Sequence, residues 1–128
     1  MISLIQNFLN HLWRNRKKDE RPWGRFEVLA KEPGSQMKRI EIFSGKRFSL
    51  QKHARRAEKW TVMSGQGLAT LGSRQFQVQA GSVIEVPKGE IHRMENNGDG
   101  PLVIIEVQFG DYLGEDDIVR YEDDFGRV

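Results

Sequence analysis

Two short stretches of the chain carry side chains that could together bind a metal ion. The first contains Gln51, His53 and Glu58, and the second contains His92, which follows a Pro-Lys-Gly turn at 87–89. Residues two apart on a strand point to the same face, so Gln51 and His53 share one side, and Glu58 begins the next strand. Amide oxygen, imidazole nitrogen and carboxylate oxygen form a mixed donor set that suits Zn, Mn, Co, Ni or Fe. The sequence therefore predicts one divalent metal ion held by Gln51, His53, Glu58 and His92.

Composition narrows the kind of protein that carries this site. A length of 128 residues, 38% apolar and 30% charged, is typical of one globular domain. There is no cysteine, which excludes thiolate ligands, thiolate nucleophiles and disulfides. Twenty Lys and Arg against eighteen Asp and Glu give a net charge of only +2, so no nucleic-acid partner is expected. No apolar run approaches the roughly 20 residues of a membrane span, so no membrane partner is expected either.

The first twenty residues predict a short amphipathic helix ahead of the main domain. Ile2, Ile5, Leu9 and Leu12 fall on one helical face, and basic residues follow them. A secretory signal would carry its positive charge before the apolar stretch, so a cytoplasmic protein is expected. We expect this helix to pack against its own domain or a twin subunit. Edge strands and this apolar face together predict a homodimer.

From residue 21 onward, short β-rich runs alternate with Gly and Pro turns, the pattern of an all-β sandwich or barrel. We predict strands at about 26–30, 37–43, 47–53, 58–63, 67–71, 74–79, 82–86, 91–95 and 102–109. Trp60 and Val62 share a side with Glu58, and Glu106 and Gln108 share one face of the last strand. The domains are thus predicted as 1–20, a helix, and 21–128, an all-β unit.

The two metal-binding stretches resemble the paired cupin motifs G-x5-H-x-H-x4-E-x6-G and G-x5-P-x-G-x2-H-x3-N. The matching positions are Gly45, His53, Glu58, Gly65, Gly81, Pro87, Gly89, His92 and Asn96, whereas Gln51 replaces the first His. The stretch 49–60 further resembles S-L-Q-x-H-x-x-R-A-E-H-W of the type II mannose-6-phosphate isomerase domain, which usually follows a mannose-1-phosphate guanylyltransferase domain. Lys59 stands where that family has His. The similarity extends over about residues 21–127.

The resemblance implies a cupin jelly-roll β-barrel with the metal inside its mouth. It also implies an isomerase that interconverts mannose 6-phosphate and fructose 6-phosphate through an enediol. Arg56 is then predicted to stabilise the enediolate or to fix the phosphate. Glu106, or Lys59 if a bulge turns it inward, is predicted to carry the proton. The residues predicted to bind the sugar phosphate are Lys38, Arg39, Gln108 and Arg127.

A second function stays open. Lys59 and the lack of a nucleotidyltransferase domain in these residues favour a non-catalytic cupin that binds a sugar or nucleotide sugar and acts with a separate guanylyltransferase. A metal-dependent oxygenase is disfavoured, because its metal set is expected to be richer in His. The acidic residues 115–117 and 122–124 are predicted to be a solvated or subunit-facing segment, with Arg120 and Arg127 as alternative salt-bridge partners.

Overall fold

Two antiparallel sheets make up almost all of the described structure, a computed structural model that covers residues 3–5 and 18–128. The strands in chain order are β1 (Asp19–Arg21), β2 (Gly24–Glu32), β3 (Ser35–Ile42), β4 (Leu50–Lys52), β5 (Arg56–Ser64), β6 (Gln66–Leu71), β7 (Arg74–Gln79), β8 (Val83–Val86), β9 (His92–Glu95), β10 (Leu102–Gly110) and β11 (Val119–Glu122). One sheet has the order β1-β2-β3-β10-β5-β8 and the other β11-β4-β9-β6-β7. The predicted all-β jelly roll is confirmed.

The inner faces of the two sheets form the core. Strict alternation on β5 buries Arg56, Glu58, Trp60 and Val62, while Lys59 stays exposed. The strand therefore presents an apolar half to the core and a polar half to the barrel mouth. Core side chains come from both sheets and include Trp23, Phe26, Ile40, Ile42, Phe48, Ala69, Val78, Ile84, Met94, Leu102 and Ile104. This burial is the main stabilising contribution to the fold.

The turn at Gly89 and the pairing of β4 with β9 bring the metal-binding stretches together. Gly89 adopts a φ of 77°, a conformation that an L side chain rarely takes. Its N–H donates to the carbonyl oxygen of His53 over 2.8 Å, which ties the turn before β9 to the end of β4. Within these two strands, Gln51 pairs directly with His92. The Pro-Lys-Gly turn at 87–89 thus places His92 beside Gln51.

The sequence analysis missed the two edge strands β1 and β11 and predicted too long a strand at β4. β1 and β11 have the short sequences DER and VRYE, three and four residues that were not predicted as strands, and they pair with β2 and β4. The strand predicted at 47–53 shortens to Leu50–Lys52, and Arg47 makes only an isolated bridge to Glu95. β1 also includes Asp19 and Glu20, which lie before the predicted boundary at residue 21.

The predicted N-terminal helix falls mainly outside the described residues, which include only 3–5 and 18–20 of that segment. Across the described part of the chain, no helix is long and apolar enough to cross a membrane. The division into 1–20 and 21–128, the homodimer, and the absence of nucleic-acid and membrane partners stay predictions.

Candidate metal centre and cationic mouth

Three of the four predicted metal ligands converge at one point inside the barrel. One ligand atom each from His53, Glu58 and His92 lies within 4.8 Å of the others, and all three residues are buried. Nε2 of His53 lies 3.5 Å from Glu58 Oε2, and Nε2 of His92 lies 3.3 Å from Glu58 Oε1. The cluster can therefore hold a metal ion between two imidazoles and one carboxylate.

Both imidazoles are oriented as metal ligands are. His53 places Nδ1 2.7 Å from the carbonyl oxygen of Asp117, and His92 places Nδ1 2.9 Å from the carbonyl oxygen of Glu90. A carbonyl can only accept, so each Nδ1 carries a proton, and in the neutral imidazole each Nε2 is left with a lone pair. Among the described residues, His92 Nε2 is buried and makes no hydrogen bond. This donor set fits a divalent metal, because Nε2 of each histidine lies within 3.5 Å of a Glu58 carboxylate oxygen.

Gln51 borders the cluster without presenting its oxygen to it. Its amide nitrogen lies 3.3 Å from His53 Nε2, and its oxygen accepts from Ser49 Oγ over 2.6 Å. The amide would have to turn by half a rotation to act as the fourth ligand. The role of Gln51 as a metal ligand therefore stays a prediction.

Arg56 lies directly against the cluster. Its Nε donates to Glu58 Oε2 over 2.9 Å, and its Nη2 lies 3.1 Å from His53 Nε2. The two histidines have opposite pKa shifts. Burial lowers the pKa of His53, and Arg56 adds to this effect against the attraction of Glu58. Burial also acts to lower the pKa of His92, but the adjacent Glu58 outweighs it and raises that pKa above its ordinary value.

Two buried carboxylates in the site have opposite pKa shifts. Burial favours protonated Glu58, yet contact with His92, Arg56 and His53 holds its pKa well below the usual range. Burial and repulsion from Glu58 raise the pKa of Glu106 to about 7. Trp60 Nε1 stands 3.2 Å from both Glu58 Oε1 and Glu106 Oε2, and so bridges the two groups. Only one of these carboxylates is fully charged at neutral pH.

Lys and Arg residues outnumber the carboxylates in the wall of the cavity beside the cluster. Its charged walls are Arg21, Lys38, Arg56, Arg120, Arg127, Glu106 and Glu115, and Trp23 and Phe48 form part of its apolar wall. Lys38 is buried and forms an ion pair with Glu115. Gln108, also buried, donates to Glu106 Oε1 over 2.5 Å. The predicted residues Lys38, Gln108 and Arg127 thus line one cavity with His53 of the metal cluster.

Two predicted site residues do not reach this cavity. Lys59 occupies the outward position on β5, and its Nζ lies 3.9 Å from Glu85 on the neighbouring strand. No bulge interrupts the pairing there, so the condition under which Lys59 was predicted to carry the proton, a turn inward, is not met. Arg39 alternates with Lys38 on β3 and is absent from the cavity wall, because adjacent residues of a strand face opposite sides. The prediction of Arg39 as a ligand-binding residue is corrected in the same way.

Sequence reasoning missed other site residues and misplaced the acidic segment. Glu115 and Asp117 contact Lys38 and His53, so residues 115–117 are not simply solvated. Arg127 does pair with Asp123, at 2.7 Å, as the alternative prediction had it. Arg21 lines the cavity from β1. Its only sequence signal is its place at the start of the family resemblance, which extends over about residues 21–127.

The β-barrel and the His-Glu-His cluster in its mouth define this protein as a cupin. Residues 10–123 match the family described as Mannose-6-phosphate isomerase C-terminal, and the chain belongs to that family. The Cnp3 cupin domain of Schizosaccharomyces pombe shares the fold with a TM-score of 0.70 at 17% identity, over 77% of this chain and 72% of that chain. A double-stranded β-helix protein of Klebsiella pneumoniae gives 0.72 at 18% identity, over 86% and 94%.

The related proteins are much longer than this chain. A mannose-1-phosphate guanylyltransferase of Klebsiella pneumoniae is 42% identical over 107 residues, 84% of this chain and 23% of that protein. The xanthan biosynthesis protein XanB of Xanthomonas campestris is 44% identical over 112 residues, 88% of this chain and 24% of that protein. The alginate biosynthesis protein AlgA of Pseudomonas aeruginosa is 44% identical over 108 residues, 84% and 22%. The chain spans about a quarter of the length of these curated relatives.

These relatives overturn the prediction that the chain is itself a mannose-6-phosphate isomerase. They are named for guanylyltransferase activity or for polysaccharide biosynthesis, and they share with this chain only its cupin domain. The family match assigns a C-terminal domain, not an activity. The outward position of Lys59 removes one of the two predicted proton carriers as well.

Proposed function

We propose that this chain is a metal-binding cupin that binds a phosphate-bearing sugar of the mannose series and acts together with a mannose-1-phosphate guanylyltransferase. The description of the family and the guanylyltransferase names among its relatives support the sugar class and the partner. The chemistry of the cavity supports an anionic ligand. The proposal assigns to the chain binding and not turnover.

The proposal of an anionic ligand rests on two buried N–H groups that lack an acceptor in the described structure. Among the described residues, Arg56 Nη1 and Arg120 Nε are buried and make no hydrogen bond, and both residues line the cavity. A buried N–H of a charged group without an acceptor is unfavourable by roughly 1–3 kcal/mol or more. Phosphate oxygens are strong acceptors with a geometry that guanidinium groups match. A phosphate-bearing ligand would satisfy both donors at once.

The metal cluster gives the sugar its second point of attachment. His53, Glu58 and His92 would hold one divalent ion, Zn, Mn, Co, Ni or Fe, with Gln51 as the fourth ligand. Such an ion supplies a Lewis acid that binds sugar oxygens and offsets negative charge. Glu106, with its pKa raised to about 7, keeps a proton on a substantial fraction of molecules and can donate it to a ligand oxygen.

Lys38 has a distinct role in this proposal. Its ammonium group is a point charge that binds phosphate oxygens without a fixed direction. It lies over the Phe26 ring at 4.3 Å and is paired with Glu115, whose side chain is half exposed. The ligand phosphate would replace the Glu115 carboxylate on Lys38, so Glu115 tunes the affinity for anions.

Calorimetric titration of the metal-loaded protein tests the proposal. Mannose 6-phosphate, mannose 1-phosphate and GDP-mannose are titrated against mannose and inorganic phosphate. At least one phosphate-bearing sugar is expected to bind at least tenfold more tightly than either control. Arg120→Ala should weaken that binding about tenfold, and Lys59→Ala, which removes a cation outside the cavity, should leave it unchanged. Equal affinity for all ligands, or release of fructose 6-phosphate from mannose 6-phosphate, contradicts the proposal.

The association with a guanylyltransferase is tested separately. The purified chain is mixed with a mannose-1-phosphate guanylyltransferase catalytic domain, and the sedimentation of the mixture is compared with that of each component. A faster-sedimenting complex that contains both proteins is expected. Independent sedimentation at micromolar concentrations of both would remove the partner from the proposal and leave the sugar site intact.

A further inference from the structure

A single residue of the C-terminal segment, Asp117, contacts the metal cluster from outside. Its backbone carbonyl oxygen accepts from His53 Nδ1 over 2.7 Å. Its carboxylate accepts from the backbone N–H groups of the two residues that follow His53, Ala54 over 3.0 Å and Arg55 over 2.9 Å. Asp117 thus makes three hydrogen bonds to three consecutive residues, the first of which is a metal-ligand histidine.

The two histidines of the cluster are held in different ways. His92 Nδ1 donates to the carbonyl oxygen of Glu90, two residues earlier in the same turn. His53 Nδ1 donates to a residue 64 positions later in the chain. The orientation of His92 is therefore a local property of its turn, whereas that of His53 depends on how the C-terminal segment docks.

The side chain of Asp117 fixes the position of its own carbonyl. Without the carboxylate, the backbone at 117 would keep the turn bond from Asp117 N to Gly114 O, at 3.2 Å, and lose both links to residues 54 and 55. The carbonyl could then shift relative to the imidazole. A histidine that loses its Nδ1 acceptor can carry its proton on Nε2 instead, and in that form Nε2, the nitrogen that faces the cluster, has no lone pair for the metal.

We propose that Asp117 is a positioning residue for the metal centre: its carboxylate pins the backbone so that its carbonyl selects the Nδ1–H form of His53 and presents Nε2 to the metal. This proposal rests on the metal site of the proposed function. It assigns a role to the acidic run at 115–117, of which Asp117 alone touches His53.

The first test is metal affinity in matched variants. Zn²⁺ affinity is measured by competition with a chromophoric chelator for the wild type, Asp117→Ala, Asp117→Asn and Asp116→Asn. Loss of an outer contact to a ligating histidine typically costs about 10–100-fold in metal affinity, and we expect that loss for Asp117→Ala. Asp117→Asn keeps one acceptor oxygen and should fall between. Asp116 is exposed and accepts from Tyr112, so Asp116→Asn should match the wild type.

The second test needs no metal. Nitrogen-edited NMR of the histidine side chains reports which ring nitrogen of His53 carries the proton. The metal-free wild type should show His53 in the Nδ1–H form, and Asp117→Ala should show a mixture or the Nε2–H form. Asp117→Asn serves if the alanine variant does not fold. If wild-type protein takes up no Zn²⁺, the metal site fails, but the NMR comparison still decides the role of Asp117.

The proposal is overturned by a folded Asp117→Ala protein whose His53 keeps the wild-type proton position and whose Zn²⁺ affinity is within twofold of the wild type. It is also overturned if Asp116→Asn loses as much affinity as Asp117→Ala, since the loss would then follow the charge of the segment rather than the hydrogen bonds of Asp117.

Discussion

Arg56 donates from Nε to Glu58 Oε2 over 2.9 Å, and both side chains are almost fully buried. This ion pair neutralises the carboxylate that would bind a metal. The same guanidinium also contacts His53. A buried carboxylate without a cation is strongly unfavourable, and Arg56 supplies one in metal-free protein. A bound metal ion and the Arg56 guanidinium would therefore compete for the Glu58 carboxylate. Arg56 Nη1, which makes no hydrogen bond within the described part of the chain, stays available to an anionic ligand.

Replacing Arg56 with alanine should make the protein more dependent on metal. The free energy of unfolding of metal-free Arg56→Ala should be about 2–5 kcal/mol lower than that of wild type, because the buried Glu58 carboxylate loses its cation. Saturating divalent metal should then raise the melting temperature more in the variant than in the wild type. Differential scanning calorimetry measures both shifts. A smaller metal-induced shift in Arg56→Ala than in wild type would show that the two cations do not compete.

The ion pair of Lys38 and Glu115 should oppose ligand binding. Glu115→Gln removes the carboxylate from Lys38, so a phosphate-bearing sugar no longer has to displace it, and affinity should rise about threefold to tenfold. Lys38→Met should lower affinity by a similar factor or more. Glu41→Gln, which alters an ion pair with Arg25 away from the cavity, is the control. Calorimetric titration measures all four proteins, and weaker binding by Glu115→Gln would contradict this account.

Glu106 should make stability fall as the pH rises. Its folded pKa of about 7 lies above its ordinary value of 4.5, so folding favours its protonated form. The stability from this group is fully present below about pH 4.5 and is lost as the pH rises through 7. A shift of this size corresponds to roughly 3 kcal/mol. Urea unfolding between these pH values should therefore show a smaller decline for Glu106→Gln than for wild type, and parallel curves would argue against the raised pKa.

Gly65 should tolerate no side chain. Its φ is 86°, and a Cβ there would lie 2.4 Å from the carbonyl oxygen of Pro101. The unfavourable φ alone costs about 1–3 kcal/mol, and the backbone contact adds to it. Gly65→Ala should therefore lower the free energy of unfolding by about 2 kcal/mol or more. Gly100→Ala, where a Cβ meets nothing within 4 Å, should change it little. Similar stabilities for the two variants would mean that the turn can relax.

The sequence predicts the parts of the site that lie on regular strands. Period-two alternation correctly directs Glu58, Trp60, Glu106 and Gln108 inward. It also directs Lys59 outward, and the alternative role of Lys59 required a bulge at residue 59, where the pairing is regular on both sides. Inward polar residues at fixed spacing are visible in a sequence because the strand sets their direction.

The remaining site residues depend on contacts that no local pattern encodes. Asp117 meets His53 from 64 positions away, and Arg120 reaches the cavity because β11 pairs with β4. Both lie in the acidic C-terminal segment, whose composition is typical of a solvated surface. Arg21 lies on a three-residue strand that exists only through its pairing with β2. These positions follow from the docking of chain ends, which local alternation does not specify.

The central claim is that His53, Glu58 and His92 bind one divalent metal ion. Protein loaded with Zn²⁺ or Mn²⁺ and then desalted is analysed for bound metal by mass spectrometry, beside His92→Ala and the surface variant Lys59→Ala. The account predicts about one equivalent of one of these metals in wild type and Lys59→Ala and almost none in His92→Ala. Equal metal content in wild type and His92→Ala, or no retained metal in folded wild type, would contradict it.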